Sequence, residues 1–335
     1  MRSCGIFNHN DPSPFPPAAV QSPDGSRWMD TDGVLVIDKP EGISSFGVVK
    51  RVKKWLGLQK AGHCGTLDPF ATGVLVVCVN QATRISDLLL SQDKVYRFTV
   101  RLGIETDTLD KTGEVTSEHN GPPCDEESVR QAVDAFRGEI LQEVPRYAAV
   151  KVDGKRLYQL SRRGIEVERP SRFVQIHRIE IAELQWPELV LEVQCSKGTY
   201  IRQLTSDIGK RLGCGAHVTG LRRLASGPFT IDGAITLDEL DSLKLDGRWE
   251  EKLVSLNEAL AHLSGLVVKQ EALLKKLHHG NLDPEWEQEH REGLTSEAGM
   301  TLPVRLLTPS NRLVALWWPQ SGTKGTYRLR VFERK

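Results

Sequence analysis

The spacing of apolar and polar positions along the chain predicts an alternation of short strands and helices. Residues 33–37 (Gly-Val-Leu-Val-Ile) form a continuous apolar run, the pattern of a strand buried on both faces. The run stops at Asp38-Lys39-Pro40-Glu41-Gly42, and Ser44 or Ser45 can then cap a helix carrying Val49, Val52 and Leu56 at helical spacing. A second apolar run covers 74–79, and a short apolar helix is expected through 88–90. Residues 95–102 alternate cleanly: Tyr96, Phe98, Val100 and Leu102 share one face, with Arg97, Thr99 and Arg101 on the other. An amphipathic helix is expected over 126–138 on the stripe Val129, Val133 and Phe136. Strands follow over 173–184 and 189–195. The last helix of this region has the stripe Ile201, Leu204, Ile208 and Leu212, with Gly213 at its end.

Three stretches depart from this texture. Residues 1–31 hold five prolines (12, 14, 16, 17 and 23) with little periodicity, which predicts a disordered tail. Between 144 and 172 aromatic and basic residues interleave, as in surfaces that follow a phosphate backbone and stack bases; an ordinary loop with a short exposed helix fits the same pattern. Beyond about 240 acidic connections lead to a helix near 268–279 and strand-like runs at 302–307, 313–317 and 327–332, a small β-rich domain over 262–335.

Composition narrows the class. The chain has 335 residues, 39% apolar and 26% charged, and no apolar run of membrane-spanning length, so a water-soluble protein is expected. Lysine plus arginine and aspartate plus glutamate each number 44, a balance that can still hide a basic face. Six cysteines without paired C-x-x-C spacing argue against a zinc site or disulfide framework and fit a reducing compartment. Together with the acidic amino-terminal stretch, which suits neither a signal nor a transit peptide, this predicts the cytoplasm. His278-His279 are adjacent and share no helix face, so an exposed pair is expected there. The chain has no P-loop, dinucleotide fingerprint, H-E-x-x-H or Gly-x-Ser-x-Gly elbow.

The candidate chemistry centres on one carboxylate. In residues 61–73 Asp68 precedes Pro69 and is flanked by Gly62, Gly65 and Gly73. The proline keeps Asp68 out of a helix, and the glycines allow unusual dihedrals and close backbone approach. Locally, an Asp-Pro turn between strands satisfies the same pattern.

Several segments in order decide between these. Asp38-Lys39-Pro40-x-Gly42-x-Ser44-Ser45, Gly62-His63-x-Gly65-Thr66-Leu67-Asp68-Pro69-x-Ala71-x-Gly73 and Ala82-Thr83-Arg84 resemble the TruB-type tRNA pseudouridine synthases of the bacterial stand-alone kind. So do Tyr96-Arg97, Thr106-Asp107-Thr108-x-Asp110, Tyr147…Lys151…Gly154, Ser196–Arg202 and Gly213…His217…Leu221-Arg222-Arg223. The resemblance runs in register from about 32 to 232. Cys64 departs from the usual Thr or Ser, Val144 from a frequent proline, and Asn80 from a glycine, a mild exchange because Asn tolerates left-handed dihedrals.

The resemblance implies an α+β pseudouridine synthase fold: a central, mostly antiparallel mixed sheet flanked by helices over 32–255, with an RNA-clamping thumb at about 144–172. A PUA-like RNA-binding domain would occupy 262–335. It implies isomerisation of uridine at position 55 in the tRNA T-loop, no cofactor or metal, the T stem-loop as partner, no obligate protein partner, and a monomer. Asp68, Tyr96 and Arg202 would be catalytic. His63, Arg84, Asp110, Tyr147, Lys151, Tyr200, Leu221 and Arg222 would meet RNA or substrate, with Lys39, Pro40, Gly65 and Pro69 as structural motif residues. The basic residues at 50–54, 151, 155-156, 162-163 and 222-223 would form the RNA-facing surface.

Three other readings compete. A guide-RNA-dependent synthase shares Gly-Thr-Leu-Asp-Pro but usually continues with Lys-Val-Thr-Gly rather than Phe70-Ala71-Thr72-Gly73. An RNA-binding or tRNA-folding protein would not need the Asp68 carboxylate. A glycosidase would need a second acid ~5–10 Å away; the loop shows none, although Asp107 or Asp110 could approach in space.

Overall fold

A computed structural model describes residues 31–148, 150–152, 154–161, 163, 165, 167–291, 302–319 and 327–332. The tail expected over 1–31 lies outside the described residues apart from Thr31, as do Arg162 and the side chains of Lys151, Lys155 and Arg156.

In chain order the strands of the first part are β1 (Gly33–Lys39), β2 (Ala61–His63), β3 (Thr72–Val79), β4 (Lys94–Leu102), β5 (Ile104–Thr106), β6 (Val115–Glu118), β7 (Gly138–Glu143), β8 (Lys151–Val152) and β9 (Lys155–Arg156). β10 (Ser171–Gln185), β11 (Glu188–Cys195), β12 (Ala216–Ser226) and β13 (Phe229–Thr230) complete them. Helices α1 (Ser45–Trp55), α2 (Ser86–Leu90), α3 (Glu126–Asp134), α4 (Leu157–Ser161) and α5 (Ile201–Leu212) lie between them. The main sheet runs β1-β3-β12-β4-β11-β10-β7, with β2 on β3 and β13 on β12. Its pairings are antiparallel except β3 with β12, so the mixed, mostly antiparallel sheet expected of the family is present.

The two continuous apolar runs become the strands buried on both faces. On β1 and β3, Leu35, Ile37, Leu75, Val77 and Val79 pack with Val48, Val49 and Val52 of α1. Val34, Val36, Val74 and Val76 point the other way, into a cluster with Leu307, Leu313, Leu316 and Phe332 of the C-terminal part. That is why these strands show no alternation, whereas β4, with one solvated face, does. Tyr96, Phe98, Val100 and Leu102 join α3, α5 and the loop residues Leu67, Phe70 and Ala71 in a second core.

The parallel contact of β3 and β12 pairs Thr72 with Arg222 and Gly73 with Arg223. Gly73 has φ +99°, and a Cβ there would come within 2.2 Å of the Arg223 carbonyl oxygen. Only glycine allows the strands to meet at this point. Asn80 has φ +49°, as its expected tolerance of left-handed dihedrals allows, and its side chain accepts from Lys60 N (3.0 Å) and donates to Thr31 O (2.9 Å).

Some boundaries differ from expectation. The helix expected to 138 ends at Asp134, and Gly138 (φ +93°) opens β7, an edge strand hidden by its polar Glu139, Gln142 and Glu143. Ser44 is the helix cap, accepting from Gly47 N, while Ser45 turns inward. The C-terminal part forms a four-stranded sheet of β14 (Gly265–Val267), β15 (Val304–Leu307), β16 (Leu313–Trp318) and β17 (Arg328–Val331), matching the small β-rich domain expected.

Candidate active site

The loop carrying Asp68 is pinned from beneath. Lys39, fully buried at the end of β1, donates from Nζ to the carbonyls of Pro40 (2.8 Å), Ile43 (2.8 Å) and Pro69 (3.1 Å). Gly42 N adds a 2.8 Å bond to the Pro69 oxygen. Ser45 Oγ donates to Leu67 O (3.0 Å) and accepts from Leu67 N (2.8 Å), tying the start of α1 to the residue before Asp68. Burial lowers the Lys39 amine to about 8, against the opposing charge of Asp68. The Asp68 carbonyl closes the turn with Ala71 N (3.1 Å).

Arg202, in the first turn of α5 and 5% exposed, reaches the carboxylate with two donors. Nε lies 2.9 Å from Oδ2 and Nη2 lies 3.3 Å from Oδ1 of Asp68. The same guanidinium donates to Thr108 O (3.0 Å) and Tyr147 O (3.1 Å), and its Nη1 lies 3.6 Å from Asp110 Oδ2. Asp110 is itself held at Oδ1 by the Thr108 hydroxyl, Thr112 N and the Thr112 hydroxyl. The Asp68 side chain keeps 32% of its surface exposed. Burial raises its pKa above the ordinary carboxylate range; Arg202 opposes that, Asp110 adds to it, and Lys39 opposes it again. Such a carboxylate has its position fixed and gains charge only with help.

Tyr96 on β4 is 8% exposed and lies directly across from Arg223 on β12. Burial raises its phenol pKa, and Arg223 acts against this through charge and a hydrogen bond. Leu221, two residues before Arg223 on the same face, pairs across from Phe98 and packs with Leu67 and Phe70. His63 ends β2; its Nδ1 is buried with no partner among the described residues, and burial, then Arg223, lowers its pKa. These effects favour the neutral imidazole. Gly65 has φ +107°.

Tyr147 and Tyr200 flank Arg202. The Tyr147 hydroxyl donates to Asp107 Oδ2 (3.3 Å). Tyr200 is locked by its backbone to the Gln142 amide, with Gln142 Oε1 accepting from N (2.8 Å) and Nε2 donating to O (3.1 Å). The Arg172 guanidinium stands 5.2 Å from the Tyr200 ring.

Arg223 sits differently from expectation, and Arg222 and Arg84 hold contacts within the protein. Arg223, expected on the RNA-facing surface, is 1% exposed and donates from Nε to Val74 O (2.7 Å) and from Nη2 to Gly65 O (3.1 Å). Strand alternation forces this: Arg223 shares the inward face of Leu221. Arg222 turns outward and pairs with Asp38 (2.7 and 3.1 Å), with Thr72 Oγ1 at 3.3 Å. Arg84, expected at RNA, donates to Val331 O and lies 5.1 Å from the Phe332 ring, at the contact with the C-terminal sheet. Ser45 and Arg223 were not singled out for these roles; following the period-two pattern of β12 through Leu221 would have found Arg223.

Comparison with known proteins assigns the chain to a family. Residues 53–201 match the TruB family pseudouridylate synthase (N terminal domain), and residues 202–274 match the tRNA pseudouridylate synthase B C-terminal domain. The chain is 54% identical over 307 residues to tRNA pseudouridine synthase B of Syntrophobacter fumaroxidans, covering 92% of this chain and 99% of that one. It is 42% identical over 305 residues to the protein of the same name from Geobacter sulfurreducens, covering 90% and 99%. Among solved structures, a Cbf5-Nop10-Gar1 complex gives a TM-score of 0.67 at 29% identity, covering 90% of this chain and 84% of that one. On the order of its motifs, its sheet and these matches, the chain belongs to the TruB family of pseudouridylate synthases.

Proposed function

We propose that this protein isomerises uridine to pseudouridine at position 55 in the T-loop of tRNA. The observation that carries the reading is the two-point hold of Arg202 on Asp68, in a family whose relatives bear the name tRNA pseudouridine synthase B. The reaction breaks the N1–C1′ bond, turns the base and rejoins it through C5. Asp68 acts at the sugar, by attack on C1′ or by taking a sugar proton, and either route uses its ionised form. Arg202 orients that carboxylate and offsets its burial.

The target base is stacked in a folded loop, so it is flipped out at a cost of a few kcal/mol. Stacking on Tyr96, worth ~1–3 kcal/mol per base, offsets part of that. His63 occupies the space the base leaves, and Leu221 lines the pocket. The exposed basic residues Lys50, Arg51, Lys53 and Lys54 of α1 meet the phosphate backbone, close to the loop that Ser45 anchors. In this reading 32–255 form the catalytic unit, the segment 144–172 clamps the stem-loop, and 262–335 add a PUA-like RNA contact. The protein acts as a monomer in the cytoplasm, and no described helix is long and apolar enough to cross a membrane.

Incubating the purified protein with unmodified tRNA and mapping pseudouridine tests this. One new pseudouridine at position 55 is expected; none at that position after complete incubation contradicts the reading.

A further inference from the structure

Arg223 is a buried cation that the roles above leave unexplained. It is 1% exposed, and no carboxylate lies within ion-pair distance of it among the described residues. Its two located bonds go to neutral carbonyls, Val74 O on β3 and Gly65 O in the Asp68 loop. Two carbonyls alone are a poor reason to bury a full charge, which is normally retained only when paired. A guanidinium has five N–H donors, so these bonds leave others to aim elsewhere. The register puts Tyr96 directly across from it on β4, on the same inward face. Its other charged neighbours, Lys39 and Lys94, are themselves buried cations, so nothing nearby on that side neutralises it.

We infer that Arg223 is a positioning residue for the proposed isomerisation, holding the Tyr96 phenol and favouring the phenolate that then takes the C5 proton. The inference rests on the reading of function given above. After C5 joins C1′, C5 carries hydrogen and four single bonds, and the ring holds an N1=C6 bond. Tyr96 first gives its phenolic proton to solvent; the C5–H bond then breaks and its proton goes to the phenolate oxygen, restoring the phenol. Its electron pair forms C5=C6, and the displaced N1=C6 pair takes a proton at N1 from solvent. The proton lost at C5 is balanced by the one gained at N1, and no oxidant or reductant enters.

The groups facing Tyr96 support this division of labour. Arg223 from β12 favours the phenolate; Cys195 from β11 and Asp68 from the loop act against it. Arg223 is thus the one cation facing Tyr96 among these groups, and its hold on Gly65 ties that phenol to the loop bearing Asp68. A cation held in a fixed place beside the phenol favours its ionisation ahead of the C5 step, and it contributes most there because its place is set before the reaction.

The test is single-turnover conversion of tRNA carrying protium or deuterium at C5 of the target uridine. Arg223→Gln is expected to slow product formation roughly ten- to hundredfold. It is also expected to raise the C5 isotope effect above that of the unaltered protein, because C5–H cleavage becomes limiting. Arg223→Lys, which keeps the charge, should recover much of the rate with an isotope effect between the two. A variant that slows both isotopic substrates equally, with the original isotope effect, overturns the inference and leaves Arg223 a purely structural group. Should Arg223→Gln not fold, Arg223→Lys carries the same readout, and an unchanged isotope effect there also overturns it. Absence of pseudouridine with the unaltered protein would instead sink the reading of function, so the two failures are separable.

Discussion

The Arg202 guanidinium approaches Asp68 edge on, with Nε 2.9 Å from Oδ2 and Nη2 3.3 Å from Oδ1. Two further donors reach Thr108 O and Tyr147 O, so the fork cannot swing away without breaking four contacts. A lysine could supply the charge but not this planar fork. Arg202→Lys is therefore expected to lower the single-turnover rate by ~10²–10³ while tRNA binding, measured by filter retention, changes little. Loss of binding in step with loss of rate would contradict an orienting role.

The protonation of Asp68 gives a second prediction. Its folded-state pKa is raised, chiefly by burial and against the pull of Arg202. In the proposed reaction the acting form is the anion, so activity is full above that raised pKa and falls as pH drops through it. The acid limb of the single-turnover rate should then lie above the ~4 of an ordinary carboxylate. A rate still undiminished at pH 4, with the protein folded, would contradict this.

Ser45 offers a test of the loop itself. Its hydroxyl serves both the N–H and the carbonyl of Leu67 in a buried setting. Ser45→Ala leaves both backbone groups unpaired, a loss of about 1–3 kcal/mol each where water cannot enter. Urea unfolding should show that destabilisation, and kcat should fall with it because the next residue is Asp68. Unchanged stability would mean that the loop is held without this clamp.

The exposed basic face of α1 predicts a salt response. Each phosphate contact contributes roughly 0.7–0.9 to the slope of log affinity against log salt. Replacing Lys50 and Lys53 by glutamine should flatten the slope for tRNA by about 1–2. An unaltered slope would move the RNA footprint off α1.

Much of this arrangement is legible in the sequence, and the exceptions have physical causes. The doubly buried β1 and β3 announce themselves as unbroken apolar runs, and β4 as strict alternation, because burial on two faces or one dictates those patterns. The edge strand β7 escapes because Glu139 and Glu143 obey no apolar period. Asp68, Tyr96 and Arg202 are recognisable through the family motifs, but nothing local distinguishes the Asp68 turn from any other. Arg222 and Arg223 read as one basic pair, yet a strand sends neighbours to opposite faces, one to Asp38 and one beneath the Asp68 loop. Arg84 escapes for a different reason: one of its partners, Val331 O, lies 247 residues away in the chain, and no local pattern encodes that contact.

The central claim is that the Asp68 carboxylate performs the chemistry and that the rest of the loop presents it. Release of C5 tritium from labelled unmodified tRNA measures this most directly, comparing the unaltered protein with Asp68→Asn. The account predicts a loss of roughly 10⁴ or more in the rate of tritium release with tRNA binding retained. Tritium release by Asp68→Asn at a rate near that of the unaltered protein would contradict it.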